Sequence, residues 1–83
     1  MFKLLISTRA QKRLKQLKQT HQEAILSALE EIKEDPLIGK PLTRELTGRF
    51  SFRVGVYRII YKVSERDKTV RVLNAGYRRN VYE

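Results

Sequence analysis

Phe50-Ser51-Phe52-Arg53-Val54-Gly55-Val56-Tyr57-Arg58-Ile59-Ile60-Tyr61 is the stretch whose reading decides the fold. β-Branched and aromatic residues recur there at every second position, the pattern of a pleated strand with one face toward a core. Gly55 interrupts the run and marks a tight turn or a bulge, so the stretch reads as two strands, Arg49 to Val54 and Val56 to Val63. Ile59 and Ile60 are adjacent and both apolar, which places the second strand centrally in its sheet. With a period of two, Tyr57, Ile59 and Tyr61 share one face and Arg58, Ile60 and Lys62 the other. Arg58 is then a cation in the middle of the best sheet-forming run.

Downstream, Ser64 to Lys68 reads as a hairpin loop, Thr69 to Asn74 as a further strand, and Asn80 to Tyr82 as a short last one. Upstream, Leu37 to Gly48 contains Gly39, Pro41 and Gly48 and reads as a connecting loop anchored by Leu37, Leu42 and Leu46. Asp35-Pro36 closes a helix, because proline disfavours helical geometry in the residue before it. That helix has the apolar stripe Ala24, Ile25, Ala28, Leu29 and Ile32, and Thr20-His21-Gln22-Glu23 has the spacing of a capping box at its start. A shorter helix precedes it, with Ala10, Leu14 and Leu17 at helical spacing among Arg9, Lys12, Arg13, Lys15 and Lys18. Thr8 and Gln11 supply the same capping spacing. Phe2 to Ile6 is a first strand.

Helices early and antiparallel strands late predict an α+β fold. In it, an N-terminal strand and an antiparallel helical hairpin pack on one face of a small, mainly antiparallel sheet, whose other face stays partly open. The chain has 83 residues, 41% hydrophobic and 33% charged, which fits a single domain over residues 1–83. A domain of this size buries only about 60% of its unfolded surface, too little for a large enclosed substrate cavity.

Eighteen lysines and arginines against nine acids give a formal charge of +9 and a pI near 10.3. Such an excess concentrates polyanions and points to nucleic acid or an acidic protein as partner. There is no cysteine and one histidine, His21, so thiolate chemistry is excluded by inventory, and histidine-pair zinc sites and Ser-His-Asp hydrolysis nearly so. His21 reads as a surface residue in the first turn of its helix. Glu30, Glu31, Glu34 and Asp35 read as a solvated helix face, since a hard-cation site also needs convergent loop oxygens. Phe2 to Ile6 is too short for a membrane span or a secretion signal, which predicts a cytoplasmic protein without membrane contact.

What remains is arginine, lysine and tyrosine chemistry. Arg49, Arg53, Arg58, Arg78 and Arg79 lie in one antiparallel unit, and guanidinium groups bind phosphate oxygens bidentately while staying charged. They stabilise a phosphodiester under attack but do not serve as bases. The proton carriers at hand are lysines and tyrosines, and a tyrosine crowded by arginines has its phenolate favoured, which makes Tyr82 a plausible base. Tyr57 and Tyr61 read as sheet packing. Tyr77 suits stacking on a base.

Phe52-Arg53-Val54-Gly55-Val56-Tyr57-Arg58-Ile59-Ile60-Tyr61 and Gly76-Tyr77-Arg78-Arg79-Asn80-Val81-Tyr82, with Leu46-x-Gly48 and the order of elements, resemble the RelE branch of the RelE/ParE toxin superfamily. The resemblance implies the toxin of a toxin–antitoxin pair, which enters the ribosomal A site and cleaves mRNA there without metal or cofactor. Matched by position, Arg58, Arg78 and Tyr82 are the expected catalytic residues. Arg49, Arg53, Tyr77, Arg79, Lys12 and Lys15 are the expected contacts to RNA and ribosome. A cognate antitoxin in a hetero-oligomer is the implied protein partner. The RelE pattern has two lysines at alternate positions of the strand before the arginine, whereas Phe50-Ser51-Phe52 has none. Either Arg49 and Arg53 replace them, or catalysis is weaker. A ParE-like gyrase poison and a relative that only binds antitoxin or nucleic acid are the other readings.

Overall fold

The computed structural model describes residues 2–42 and 48–77. The elements are β1 (Lys3–Ile6), α1 (Thr8–Lys15), α2 (Gln19–Glu34), a 3-10 turn (Pro36–Ile38), β2 (Lys40–Pro41), β3 (Arg49–Val54), β4 (Tyr57–Ser64) and β5 (Thr69–Tyr77). They form a five-stranded sheet in the order β1-β5-β4-β3-β2, an α+β architecture with both helices packed against one face. β1 joins β5 in parallel, and the other neighbours are antiparallel. The strand expected at Asn80 to Tyr82 and the anchor expected at Leu46 lie outside the described residues.

β3 and β4 are joined by Gly55-Val56, with Gly55 at φ 59° and Val54 paired to Tyr57. A two-residue loop with positive φ at its first position has the form of a type II′ hairpin, and glycine adopts that conformation without steric cost. Phe50, Phe52 and Val54 on β3 face Tyr61, Ile59 and Tyr57 on β4. This side meets the helices. Ala10 and Leu14 of α1, Ile25, Ala28, Leu29 and Ile32 of α2, and Val70, Val72 and Ala75 of β5 complete the core. Burying each large aliphatic side chain there stabilises the fold by about 1.5–3 kcal/mol.

Several local expectations change. Ser7, not Thr8, caps α1: its hydroxyl accepts from the Ala10 N–H at 3.1 Å and donates to the Leu73 carbonyl at 2.9 Å. Gln11 turns back to the Ile6 carbonyl rather than to the cap. Leu73 is the extra residue of a β-bulge, since Ile60 pairs with Asn74 and Tyr61 with Val72. α2 starts at Gln19 without a side-chain cap, so Thr20 and Glu23 form no capping box. Gln22 Nε2 instead donates to the Leu17 carbonyl at 2.8 Å. Leu37 is 61% exposed, not the buried anchor expected.

The segment expected as plain loop contributes the short β2, where Lys40 pairs with Ser51 and Pro41 with Phe50. Proline is tolerated there because β2 is an edge strand. Tyr61 fixes the path into it: its buried hydroxyl donates to the Pro36 carbonyl at 2.8 Å and accepts from the Gly39 N–H at 2.9 Å.

Candidate nucleic-acid interface

Because side chains alternate along each strand, the registers that place apolar residues under the helices place cations on the opposite face. Arg53 pairs with Arg58, Arg49 with Lys62, Lys62 with Arg71, and Lys40 with Ser51. Lys3 shares the face through its register with Thr69. None of the five strands contains an aspartate or glutamate. Among the described residues no helix packs on this face, which is therefore cationic from β1 to β2, with Ile60, Ser51 and Asn74 forming a buried band between the charges.

Arg58 is half-buried, and its Nε is shielded from solvent. Arg53 and Arg58 line a cleft of about 360 Å³ together with Lys40 and Ser51. Opposite Arg58 on β5 stands Gly76, which is buried and has the Arg13 side chain packed against it. Two guanidinium groups with one ammonium beside them, on a wall with no carboxylate among the described residues, are an arrangement for phosphate oxygens.

The structure thus places Arg49, Arg53 and Arg58 on one sheet face, with Arg53 paired to Arg58 and Arg49 to Lys62. Ser51, on which the lysine-free segment is centred, lies between Arg49 and Arg53 on the same face, whereas Phe50 and Phe52 point to the core. Tyr77 falls on the helix side, paired with Tyr57. Lys12 and Lys15 are exposed on α1, away from the strands. Arg78, Arg79 and Tyr82 lie outside the described residues.

A second concavity, about 470 Å³, opens where the α1–α2 joint meets the start of β4 and the end of β5. Arg13, Gln16, Lys18, His21, Tyr57 and Tyr77 surround it. His21 is half-buried, and its Nδ1 shares a 2.5 Å hydrogen bond with the Tyr57 hydroxyl, which corrects the expectation of a plain surface residue. The Tyr57 and Tyr77 rings lie 4.9 Å apart.

Burial pushes the Tyr57 phenol above its ordinary value, and its hydrogen bond with Tyr77 adds to the shift. Tyr61 is likewise raised, chiefly by burial, against the lowering effect of the Gly39 N–H. Both stay protonated at neutral pH. His21, Arg13, Lys40 and Arg71 were not legible as site residues in the sequence. The first two come from helices far from the strands in the chain. The last two needed the β2–β3 pairing and the β4–β5 register to be known.

A family model described as the ParE toxin of type II toxin–antitoxin systems, parDE, matches residues 4–82. Toxin RelG of Mycobacterium tuberculosis (strain ATCC 25618 / H37Rv) is 41% identical over 56 residues, 66% of this chain. The match spans 64% of RelG, less than two thirds of its length. The toxin–antitoxin complex RelBE2 from M. tuberculosis contains a chain that superposes with a TM-score of 0.86 at 34% identity, covering 93% of this chain and 98% of that one. The intact RelBE complex of E. coli gives a TM-score of 0.81 at 25% identity, over 93% and 96% of the two chains. A model match over nearly the whole chain and a shared fold lead to one assignment: the chain belongs to the ParE toxin family of type II toxin–antitoxin systems, within the RelE/ParE superfamily.

Proposed function

We propose that the protein is the toxin of a toxin–antitoxin pair and cleaves mRNA on the ribosome, with the scissile phosphodiester held at Arg58. The observation that carries this reading is the sheet face opposite the described helices, on which Arg53 and Arg58 meet across β3 and β4 and none of the five described strands has a carboxylate. In the reaction the 2′-oxygen attacks phosphorus, the O2′–P bond forms and the P–O5′ bond breaks. One proton leaves the 2′-hydroxyl and one is delivered to the 5′-oxygen. Arg58 stabilises the charge gathering on the non-bridging oxygens. Arg49 and Arg53 take the electrostatic part that the family's lysine pair plays. By resemblance, Tyr82 is the base or orienting group and Arg78 a second phosphate ligand. Lys12 and Lys15 supply contacts to ribosomal RNA, and an antitoxin with an acidic segment covers the basic face.

The test is primer extension on ribosome-bound mRNA in the cytoplasmic translation machinery. Wild-type protein is expected to produce truncated products, and Arg58→Ala to slow their appearance by roughly 10²–10³-fold, as for loss of a transition-state donor. Intact mRNA with the wild-type protein overturns the reading. The match to a ParE family model favours one second reading, a protein that binds and poisons gyrase. Inhibition of supercoiling by a preparation that leaves mRNA intact decides for it.

A further inference from the structure

The cleft between the α1–α2 joint and the ends of β4 and β5 has three properties that belong together. Its rim carries two cations, Arg13 and Lys18, and, among the described residues, no carboxylate. Its wall includes the ring of Tyr77, which is 51% exposed yet held from behind by Tyr57 at 4.9 Å. Tyr57 is in turn fixed by His21, so the Tyr77 platform is braced. A braced, half-exposed aromatic ring beside cations is how proteins hold a single-stranded nucleic acid, with base on ring and phosphate on cation. The volume of about 470 Å³ is within the range of small-ligand clefts, and the Gln16 amide supplies both a donor and an acceptor for a base edge.

The cleft is also connected to Arg58. Tyr57 and Arg58 are consecutive residues pointing to opposite faces, and Gly76 both pairs with Arg58 and lines the cleft. A Cβ at Gly76 would stand 3.5 Å from Arg13 Nη1, so the Arg13 guanidinium already reaches the strand that adjoins Arg58. Tyr57 opens β4 and Tyr77 ends β5 as described. A strand of RNA on the cationic face therefore reaches the cleft by crossing the end of the sheet.

We infer that this cleft is a nucleotide subsite, which takes the base of one RNA nucleotide on the Tyr77 ring and its phosphate on Arg13 and Lys18, next to the phosphodiester held at Arg58. The inference rests on the RNA reading of the sheet face and names where the strand runs beyond it.

The experiment is equilibrium binding of a fluorescein-labelled single-stranded RNA hexanucleotide to the purified protein over a series of salt concentrations. Tyr77→Ala is expected to weaken binding about tenfold, the loss of one stacked base, and Tyr77→Phe to retain it. Arg13→Gln is expected to reduce the slope of log K against log salt by about 0.7, the release of one phosphate contact. In unsubstituted protein the Tyr77 ring protons are expected to shift on adding the hexanucleotide, a readout independent of how any variant folds. Unmoved ring protons, or equal loss in Tyr77→Ala and Tyr77→Phe, overturn the subsite. If these binding effects appear while the wild-type protein leaves ribosome-bound mRNA whole, the subsite stands and the cleavage reading falls. If the wild-type protein cleaves and Tyr77→Ala binds and cleaves unchanged, the subsite alone falls.

Discussion

Arg53 and Arg58 face each other directly across the β3–β4 ladder. Like charges in that relationship repel, and removing one relieves the sheet by roughly 0.2–1 kcal/mol. Arg53→Thr, which also supplies a better strand former, is expected to raise the melting temperature by roughly 1–8 °C for a chain of this size. The same change is expected to slow mRNA cleavage. Calorimetry and primer extension on one preparation check both, and a drop in melting temperature would count against the repulsion.

Tyr61→Phe removes the shared partner of the Pro36 carbonyl and the Gly39 N–H, both on buried residues. Unsatisfied buried groups make this expensive for a one-atom change, about 1–3 kcal/mol. Urea unfolding is the measurement, with the midpoint expected to fall at an unchanged slope.

Gly39→Ala attacks the same junction from the other side. A Cβ there overlaps the Tyr61 hydroxyl and comes within 3.1 Å of the Ser51 carbonyl. Overpacking of this kind costs about 1–3 kcal/mol. Combining it with Tyr61→Phe frees the space of the hydroxyl, so the double variant is expected to lose less than the sum of the two singles.

Alkali is expected to destabilise the fold. Tyr57 and Tyr61 hold their protons more tightly in the native state, chiefly because they are buried. The unfolded chain releases those protons near pH 10. Above that pH it binds fewer protons than the native state, so stability is complete below about pH 10 and falls as pH rises. Urea midpoints from about pH 9 to about pH 11 are expected to decline, and less steeply in Tyr57→Phe. An equal slope in that variant would remove Tyr57 as a cause.

Much of this arrangement was legible in the chain because it follows from a period of two. Arg49 to Val54 forms β3 with the bounds its pattern gave, and Arg58, Ile60 and Lys62 share the face opposite Tyr57, Ile59 and Tyr61, as alternation requires. The core stripes of both helices were readable for the same reason at a period of 3.6, apart from Ala24, which is exposed, and Leu17, which lies past the end of α1. The choice of cap was not. Ser7 and Thr8 offer the same hydroxyl chemistry locally, and Ser7 forms its second bond with Leu73, 66 residues away. Neither could the meeting of His21 with Tyr57 be read, because 36 residues separate them and only the packing of α2 on the sheet brings them together.

The parallel pairing of β1 with β5 bears on how the protein is made. β1 leaves the ribosome before β5 and finds its partner only when β5 follows, since in the sheet order β5 separates β1 from β4. Ser7 likewise waits for Val72 and Leu73 to anchor α1. Pairings of this sequence separation close late and slowly. The nascent chain therefore carries Arg53 and Arg58 out of the exit tunnel before the strand that completes their sheet, and the cationic face acquires its finished geometry only once β5 has cleared the ribosome that is translating it.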